Sequence, residues 1–297
     1  MSEMSRRTVL RAAGAGAVVI AGVQWTAAGV AEARPLTAHR TGDNPVVREN
    51  RAPGSDAWGV GHGESRGVDP KRPEIQGYAA AASVAPGETL GLHLSSRTAR
   101  SCTVEIYRLG HYDGVRARHL LTATDVPVGR AWRVTVPDTW VSGIFLAVLT
   151  TGDGHRAYAP FVVREPARPS DLLVVVSLST AHGPYAGLGM PEGFGTDTSA
   201  SRWLEEAGYD VTYATEQDLH EGRVDPARYT AVVLPGAAGD TRWSRKTRAV
   251  VDRAPERAVL PRPFALSEPG RADDEVRRAA AERLDRILAA PVSTPRS

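Results

Sequence analysis

Residues that could carry proton transfer follow two apolar runs in the second half of the chain. His182 lies in a glycine-rich stretch, 182–189, which comes after the apolar run 172–176. Asp240 comes after a second run, 229–234, at the end of a Gly-Ala-Ala-Gly sequence. Such runs are typical of strands buried on both faces of a parallel sheet, and α/β sheets bind ligands at the carboxyl ends of these strands. The sequence therefore predicts that His182 and Asp240 face one crevice, where an imidazole and a carboxylate can move protons.

Several other site chemistries do not fit this crevice. The single cysteine, Cys102, excludes a disulfide framework within the chain, a Cys-x-x-Cys redox pair and a cysteine-rich zinc site. A class I glutamine amidotransferase would place a cysteine at the end of the third strand, and none is there. The glycines of 183–189 lack the Gly-x-Gly-x-x-Gly spacing of a dinucleotide site. Five further histidines show no metal-ligand spacing and are expected on the surface or in turns: His62, His93, His111, His155 and His220.

The crevice requires a parallel α/β layer, and the pattern after residue 170 predicts one. Strands are predicted at 172–176, 210–214 and 229–234, with a short fourth at 258–260, and helices at 200–207, 245–253 and 273–290. Alternating strands and helices indicate parallel pairing. So few strands predict a truncated flavodoxin-like domain, similar in layout to a glutamine amidotransferase, over 170–297. One face of the last helix carries Val276, Ala280, Leu284, Ile287 and Leu288.

Residues 74–165 alternate with a period of two, as in a β domain. Leu90, Leu92 and Leu94 fall on one face of a predicted strand, and Val104 and Ile106 fall on one face of another. Six or seven short strands with turn signals about every 8–12 residues are typical of a sandwich. The sequence therefore predicts an immunoglobulin-like β-sandwich.

Two segments without periodicity complete the predicted domain arrangement. Residues 34–73 are polar and rich in Gly, Pro and Arg, which predicts an extended arm before the sandwich. Pro166 and Pro169 lie in a short polar stretch, which predicts a stiff linker between the sandwich and the α/β domain.

Residues 1–33 have the pattern of an export signal. Arg6 and Arg7 precede an uncharged stretch, 12–30, and an Ala-Glu-Ala sequence ends at Ala33. We predict a twin-arginine (Tat) signal peptide that is cleaved after Ala33. The alternative is a retained membrane anchor, since about 19 residues can span a bilayer, but Gln24 and the many small residues make the stretch weakly hydrophobic. We therefore expect a secreted or cell-envelope protein, carried by the Tat machinery, with no transmembrane segment after cleavage.

The charge balance argues against a nucleic-acid partner. The 297 residues contain 36 Lys and Arg against 34 Asp and Glu, for a net charge of +2, and loss of residues 1–33 leaves +1. Nucleic-acid-binding proteins carry a marked excess of basic residues. The composition leaves oligomer formation open.

Several stretches in the same order resemble the large (beta) subunit of N,N-dimethylformamidase and its actinobacterial relatives. Residues 106–114, Ile-Tyr-Arg-Leu-Gly-His-Tyr-Asp-Gly, resemble the family's Tyr-Arg-x-Gly-x-Tyr-x-Gly signature, and 203–215 is the longest match. From the residues alone, Gly110 and Gly114 are turn glycines, Gly208 ends a helix, and Tyr107 and Tyr112 fill the end of the sandwich. The other similar stretches are 44–50, 53–54, 75–79, 87–89, 140–143 and 218–220.

The resemblance implies a ferric iron held by two tyrosinates and a glutamate, which would polarise an amide carbonyl and activate water. The family's glutamate lies in a Gly-His-Asp-Glu-Tyr-Trp-Ser stretch. Aligned on Trp243 and Ser244, this chain has Thr241 in place of the glutamate and Arg242 in place of the tyrosine. Asp240, one residue early, is the carboxylate that remains. Tyr185 is offset by one position from the tyrosine of the family's Asn-Thr-x-x-Ala-Tyr-Asn pattern.

Three hypotheses follow from the resemblance. The first is a catalytically degenerate family member that acts as an exported binding or accessory protein. The second is an active amide hydrolase that uses Tyr185, His182 and Asp240, with Tyr185 and Asp240 as metal ligands. The third is a cell-wall-binding or carbohydrate-binding sandwich.

Overall fold

Three β-sheets and the helices that join or cover them make up the described chain. The computed structural model describes residues 43–69, 71–178, 194–235, 243–260 and 271–290, with the backbone alone at 194–197 and 271–273. The predicted signal, 1–33, lies outside these ranges, as do His182, Tyr185 and Asp240. All of the described residues belong to one unit, Leu36–Ser297.

Two of the sheets are built from the first half of the chain. Their strands are β1 (Arg66–Gly67), β2 (Ile75–Ala79), β3 (Ser83–Val84), β4 (Thr89–Ser96), β5 (Ser101–Leu109), β6 (Ala117–Pro127), β7 (Ala131–Thr135), β8 (Gly143–Thr150) and β9 (His155–Val163). One sheet has six strands in the order β1-β9-β8-β5-β6, with β3 also paired to β9. The other has three strands in the order β2-β4-β7.

The three-stranded sheet has one buried face, as its period-two pattern requires. Leu90, Leu92 and Leu94 of β4 are buried in a core that also contains Val104 and Ile106 of β5. The predicted inward faces of these two strands are therefore confirmed.

The central strands of the six-stranded sheet, β8 and β9, are buried on both faces. On β8, Phe145, Ala147 and Leu149 belong to the core shared with the three-stranded sheet, whereas Ile144 and Leu146 belong to a second core shared with the parallel sheet. Burial on both sides explains why 143–149 is a continuous apolar run rather than an alternating one.

Strand β6 (Ala117–Pro127) was not among the predicted strands. It pairs antiparallel with β5, and the pairing has register shifts between Cys102 and Val104 and between Ile106 and Tyr107. Most β6 side chains are partly or fully exposed. A half-exposed strand with an interrupted register gives no clean alternation, so its sequence lacks the usual signal.

The third sheet is parallel and comes from the second half of the chain. Its strands are β10 (Leu172–Val176), β11 (Val211–Thr215), β12 (Ala231–Pro235) and β13 (Arg257–Leu260), in the order β11-β10-β12-β13. The helices are α2 (Phe194–Glu206), α3 (Glu216–Glu221), α4 (Arg245–Val251) and α5 (Arg271–Ala289). The predicted strands, including the short fourth, and the predicted helices are confirmed with end shifts of up to six residues, the largest at the start of α2, and α3 is an addition.

Helices cover the parallel sheet on both sides. One face packs with α2, α5 and the six-stranded sheet, and the other packs with α3 and α4. Leu284 and Leu288 of α5 lie in the first core, with Val276 and Ile287 packed against it, as the predicted apolar face requires. No helix among the described residues is long and apolar enough to cross a membrane.

The segment predicted as an extended arm contains a short helix, α1 (Pro45–Glu49). The Asn44 side chain accepts a hydrogen bond from the Val47 amide, and Pro45 occupies the first turn. Asparagine as cap and proline in the first turn are helix-start signals. The Asn44 side chain also donates to the carbonyl of Gly208, so α1 contacts the turn after α2.

Candidate functional site

The predicted site residues follow the ends of two neighbouring strands. Strands β10 and β12 pair in parallel, with Leu172 opposite Ala231. His182 and Tyr185 come after β10, and Asp240 comes after β12, but all three lie outside the described residues. The described residues that can be examined are those at the carboxyl edge of the sheet and those that hold this edge in place.

Glu216 is a carboxylate at this edge that sequence reasoning missed. It follows β11 directly, and β11 pairs with β10. The Ser177 hydroxyl, just after β10, donates to Glu216 Oε1 at 3.4 Å. The other oxygen, Oε2, is buried and has no hydrogen-bond partner among the described residues. Burial raises the pKa of this carboxyl group. Glu216 can therefore hold a proton or accept a bond from a ligand at this edge.

A capping box fixes Glu216 at the start of α3. The Thr215 side chain accepts a bond from the Asp218 amide, and the Asp218 carboxylate accepts one from the Thr215 amide. Asp218 is fully buried and also accepts a bond from the Ser83 hydroxyl at 2.5 Å. Arg164 and Arg223 lie 3.5 and 3.3 Å from its carboxylate. These contacts tie the first turn of α3 to the β-sheets.

His220 and Ser244 form a second polar contact near the same edge. His220 Nδ1 lies 3.0 Å from Ser244 Oγ. Serine and histidine at this distance can form a nucleophile and its base. However, Ser244 Oγ already caps α4 by accepting the Thr247 amide, and it lies 2.9 Å from the Thr247 hydroxyl. The arrangement is therefore that of a helix cap, and His220, which was expected on the surface or in a turn, is exposed beside it.

One catalytic sequence pattern outside this edge was also missed. Residues 63–67 read Gly-Glu-Ser-Arg-Gly, which fits Gly-x-Ser-x-Gly. In hydrolases, that serine sits on a sharp turn between a strand and a helix. Here Ser65 Oγ donates to the His62 carbonyl at 2.7 Å within a turn, and the two-residue strand β1 follows it. The pattern therefore lacks the strand–turn–helix setting of a nucleophile.

A buried ion pair joins the six-stranded sheet to helix α2. The guanidinium of Arg108 donates to both carboxylate oxygens of Glu205, at 2.8 and 3.0 Å, and both side chains are fully buried. The Tyr213 hydroxyl donates to Glu205 at 2.8 Å, and Asn50 donates to it at 2.7 Å. Arg108 also donates to the carbonyl of Ser142. Such additional hydrogen bonds offset the free-energy cost of removing the two charges from water.

Two glycines make room for this ion pair. A Cβ atom at Gly143 would lie 2.7 Å from Arg108 Nε. A Cβ at Gly110 would lie 2.5 Å from Glu205 Oε2. Real Cβ atoms do not approach other atoms so closely, and both neighbours are held by the network. The Gly110 of the signature is therefore explained by close packing.

The signature turn itself is strained and held from outside. Tyr112 and Asp113 adopt positive φ angles of 44° and 54°, which cost energy for non-glycine residues. The side-chain oxygen of Asn50 accepts bonds from the amides of His111 and Tyr112. The Tyr112 hydroxyl donates to Glu49. Glu49, the last residue of α1, and Asn50, its C-terminal cap, thus supply the contacts that stabilise this turn.

No group of three or more His, Cys, Asp or Glu side chains among the described residues could hold a metal ion. Trp243 is buried, and Ser244 is the N-terminal cap of α4. The alignment with the family's Gly-His-Asp-Glu-Tyr-Trp-Ser stretch is anchored on these two residues. From that point, the family's glutamate position is Thr241, a neutral hydroxyl, and Arg242 beside it is a cation. These side chains do not fit a ferric ion.

Comparison with known proteins agrees with the motif order. A family model described as "N,N-dimethylformamidase beta subunit-like, C-terminal" matches residues 103–186 and 180–258, a little over half of the chain. No curated protein sequence matches the chain.

Solved structures give only distant likenesses. The superoxide reductase (neelaredoxin) from Ignicoccus hospitalis is 12% identical over 30% of this chain and 79% of its own, with a TM-score of 0.21. The sulfur carrier protein SoxY from Chlorobium limicola is 13% identical over 31% of this chain and 80% of its own, with a TM-score of 0.20. The cycloisomaltooligosaccharide glucanotransferase from Paenibacillus is 14% identical over 66% of this chain and 28% of its own, with a TM-score of 0.23.

Proposed function

Because the chain belongs to the N,N-dimethylformamidase beta subunit-like family, we propose that it is an exported member that has lost the family's metal site. In this proposal it acts outside the membrane as a binding or accessory protein. The observation that carries the proposal is the identity of Thr241 at the position of the family's glutamate ligand.

The alignment that places Thr241 there rests on two described residues. Trp243 is buried in the core beneath α4, and Ser244 begins α4 as its cap. Any insertion or deletion relative to the family's pattern, between the end of β12 and Trp243, therefore falls within residues 236–242. A threonine hydroxyl is a poor ligand for a hard trivalent cation, whereas carboxylate and phenolate oxygens are good ones. The loss of the glutamate therefore removes an anionic ligand that the resemblance implies.

Export is supported by the sequence of 1–33. Arg6 and Arg7, the uncharged stretch and the Ala-Glu-Ala sequence occur in the order of a Tat signal. We propose that residues 1–33 are removed and that the mature protein is secreted or held in the cell envelope.

The finer fold assignment is also a proposal. The order β11-β10-β12-β13 follows the 2-1-3-4 order of flavodoxin-like sheets. The two sheets of the first half share a core, as in an immunoglobulin-like sandwich. We propose an arm over 34–73, a sandwich over 74–165 and a truncated flavodoxin-like, glutamine-amidotransferase-like domain over 170–297.

Iron quantification tests the loss of the metal site. The full-length chain is produced in the cytoplasm with iron supplied, and its iron content, visible absorption and turnover of N,N-dimethylformamide are measured. We expect less than a tenth of an iron per chain, no tyrosinate-to-iron colour and no turnover. Stoichiometric ferric iron with such a colour would contradict the proposal.

The second candidate is an amide hydrolase, favoured by a buried Glu216 oxygen at the carboxyl edge that has no hydrogen-bond partner among the described residues. In that case Tyr185, His182 and Asp240 would carry the chemistry. Any measured amide turnover is then compared with that of Tyr185→Phe and Asp240→Ala. Turnover that survives both changes rules out this site.

A further inference from the structure

The outer face of the three-stranded sheet carries an exposed aromatic ring. Tyr78 of β2 is 62% exposed, a high value for so large an apolar side chain. It stacks on His93, its partner across the strands, with ring centroids 4.9 Å apart and an angle of 23° between the rings. The stacking holds the Tyr78 ring in one orientation while it remains open to solvent, so the pair forms a fixed flat platform.

A surface groove begins beside this platform. Gln76 and Ser95 are the next outward pair along β2 and β4, two residues from Tyr78 and His93. Both line a groove of about 410 Å³. Ligand sites typically have volumes of about 300–1,000 Å³. The groove is also lined by Lys71, Arg72, Pro73, Ser96 and Arg97.

The groove is basic, and its charges are not neutralised. Lys71, Arg72 and Arg97 are exposed, and no ion pair joins them to a described residue; the Arg97 guanidinium donates one hydrogen bond, to the Arg72 carbonyl at 2.9 Å. The same stretch has two acids, Asp69 and Glu74, and the exposed Asp69 accepts the Lys71 amide at 2.8 Å. Glu74 Oε2 accepts the Asp69 amide, and Glu74 Oε1 lies 3.7 Å from His155.

The sheet face itself adds no negative charge. Its outward residues include Arg133 and no Asp or Glu. They are Gln76, Tyr78, Thr89, Gly91, His93, Ser95, Ala131, Arg133 and Thr135.

We infer that this face binds an acidic polysaccharide, with one sugar ring on Tyr78 and the carboxylates of its neighbours at Lys71, Arg72 and Arg97. An aromatic face packs well on the flat C–H face of a pyranose ring. Ser95 and Gln76 offer donors and acceptors for sugar hydroxyls. Arginine forks suit carboxylates through paired hydrogen bonds. The alternation of apolar ring, hydroxyl, amide and cation along one groove matches a chain of carboxylated sugars.

Two other anionic partners fit the face less well. Single-stranded nucleic acid is bound by successive aromatic side chains along a basic track, and this face offers one aromatic platform. An anionic membrane surface needs an apolar group that can enter it beside the cations, and Tyr78 is held flat against His93. The inference rests on the proposed function, because an extracellular polysaccharide is within reach only of an exported protein.

Affinity electrophoresis of the full-length chain through gels containing polygalacturonate tests the inference. We expect retardation by polygalacturonate at 50 mM NaCl, little at 300 mM and none by neutral dextran. Lys71→Gln/Arg72→Gln/Arg97→Gln should weaken binding at least tenfold, and Tyr78→Ala about fivefold. The matched control is Arg228→Gln/Arg253→Gln/Arg278→Gln, which removes three exposed charges elsewhere and should change binding less than twofold.

Three results would overturn the inference. The first is no retardation by polygalacturonate. The second is equal weakening by both triple variants, which would mean attraction by net charge alone. The third is tighter binding of a 20-nucleotide single strand, or of vesicles containing phosphatidylglycerol, through the same residues. These outcomes are separate from the iron and amide measurements. If the chain contains no iron, has no amide turnover and does not bind polygalacturonate, the proposed binding role stands and only the inferred ligand is wrong.

Discussion

Arg108 and Glu205 are 97 positions apart in the sequence, and their side chains form a two-bonded ion pair that is fully buried. Arg108 comes from β5 of the six-stranded sheet, and Glu205 comes from the last turn of α2. The pair thus joins the β part of the chain to the α/β part. Burial raises the pKa of Tyr213, which keeps its hydroxyl protonated and able to donate to Glu205. The Tyr-Arg signature and the Trp-Leu-Glu-Glu sequence that resemble the family meet at this contact.

Loss of Arg108 should be strongly destabilising. Arg108→Leu leaves the Glu205 carboxylate buried without its cation, and breaking a buried pair in this way costs about 3–5 kcal/mol. Urea unfolding of the wild type and the variant measures the difference. The matched control is Arg168→Leu, which breaks a partly exposed pair with Asp210 and should cost at most about 1 kcal/mol. Equal losses from both changes would show that the buried pair has no special role.

Alanine at Gly143 should also destabilise the fold. Its Cβ would lie 2.7 Å from Arg108 Nε, and the guanidinium cannot move without losing its bonds to Glu205. Overpacking of this kind costs about 1–3 kcal/mol. Gly152→Ala is the control, because no atom lies within 4 Å of a Cβ built there. Thermal unfolding should show a lower Tm for Gly143→Ala. For Gly152→Ala, the free energy of unfolding should stay within about 0.5 kcal/mol of the wild-type value.

The elements of this fold were predictable because local patterns specify them. Leu90, Leu92 and Leu94 alternate because one face of β4 is buried, and the run 172–176 is apolar because β10 is buried on both faces. Contacts between distant residues leave no such pattern. An arginine at position 108 in an alternating strand gives no indication that its partner is Glu205.

The candidate site stays a prediction, because His182, Tyr185 and Asp240 lie outside the described residues. The predicted site residues come after β10 and β12. The strand predicted between them, 210–214, ended two residues before Glu216. The Thr215-x-x-Asp218 spacing is a capping-box signal that could have revealed α3 and the carboxylate at its start. The burial of Glu216 depends on Ser177 and the neighbouring strand, which no local pattern reports.

The charge of Glu216 should make the fold less stable as the pH rises. Burial raises the folded-state pKa of this carboxyl group above its ordinary value of 4.5. The folded state therefore favours the protonated form, so stability is highest below pH 4.5 and falls as the pH rises through the folded-state pKa. Glu216→Gln stays neutral, and we expect its stability relative to the wild type to increase between pH 4 and pH 7.5. Urea unfolding at both pH values measures this, with the exposed Glu275→Gln as control.

The lone thiol should be unreactive in the folded protein. Cys102 is buried, and burial raises its pKa to about 11. The thiolate is the reactive form, and at pH 8 a thiol with that pKa is about 0.1% ionised. We expect the folded chain to react with Ellman's reagent at least a hundredfold more slowly than the chain unfolded in urea. Rapid reaction of the folded protein would mean that β5 opens often enough to expose Cys102.

Export should depend on both arginines of the predicted signal. The Tat pathway recognises the paired guanidinium groups before the uncharged stretch, so Arg6→Lys together with Arg7→Lys should leave the protein in the cytoplasm with its signal uncut. Arg11→Lys is the matched control, because it preserves the pair and the charge of the segment, and its export should equal that of the wild type. Immunoblots of cytoplasmic, envelope and secreted fractions measure the distribution, and N-terminal sequencing of the exported form should begin at Arg34. Export of the double lysine variant at the wild-type level would show that the twin arginines are not the signal. A retained anchor would appear instead as an uncut protein in the membrane fraction, whose mass exceeds that of the cleaved form by residues 1–33.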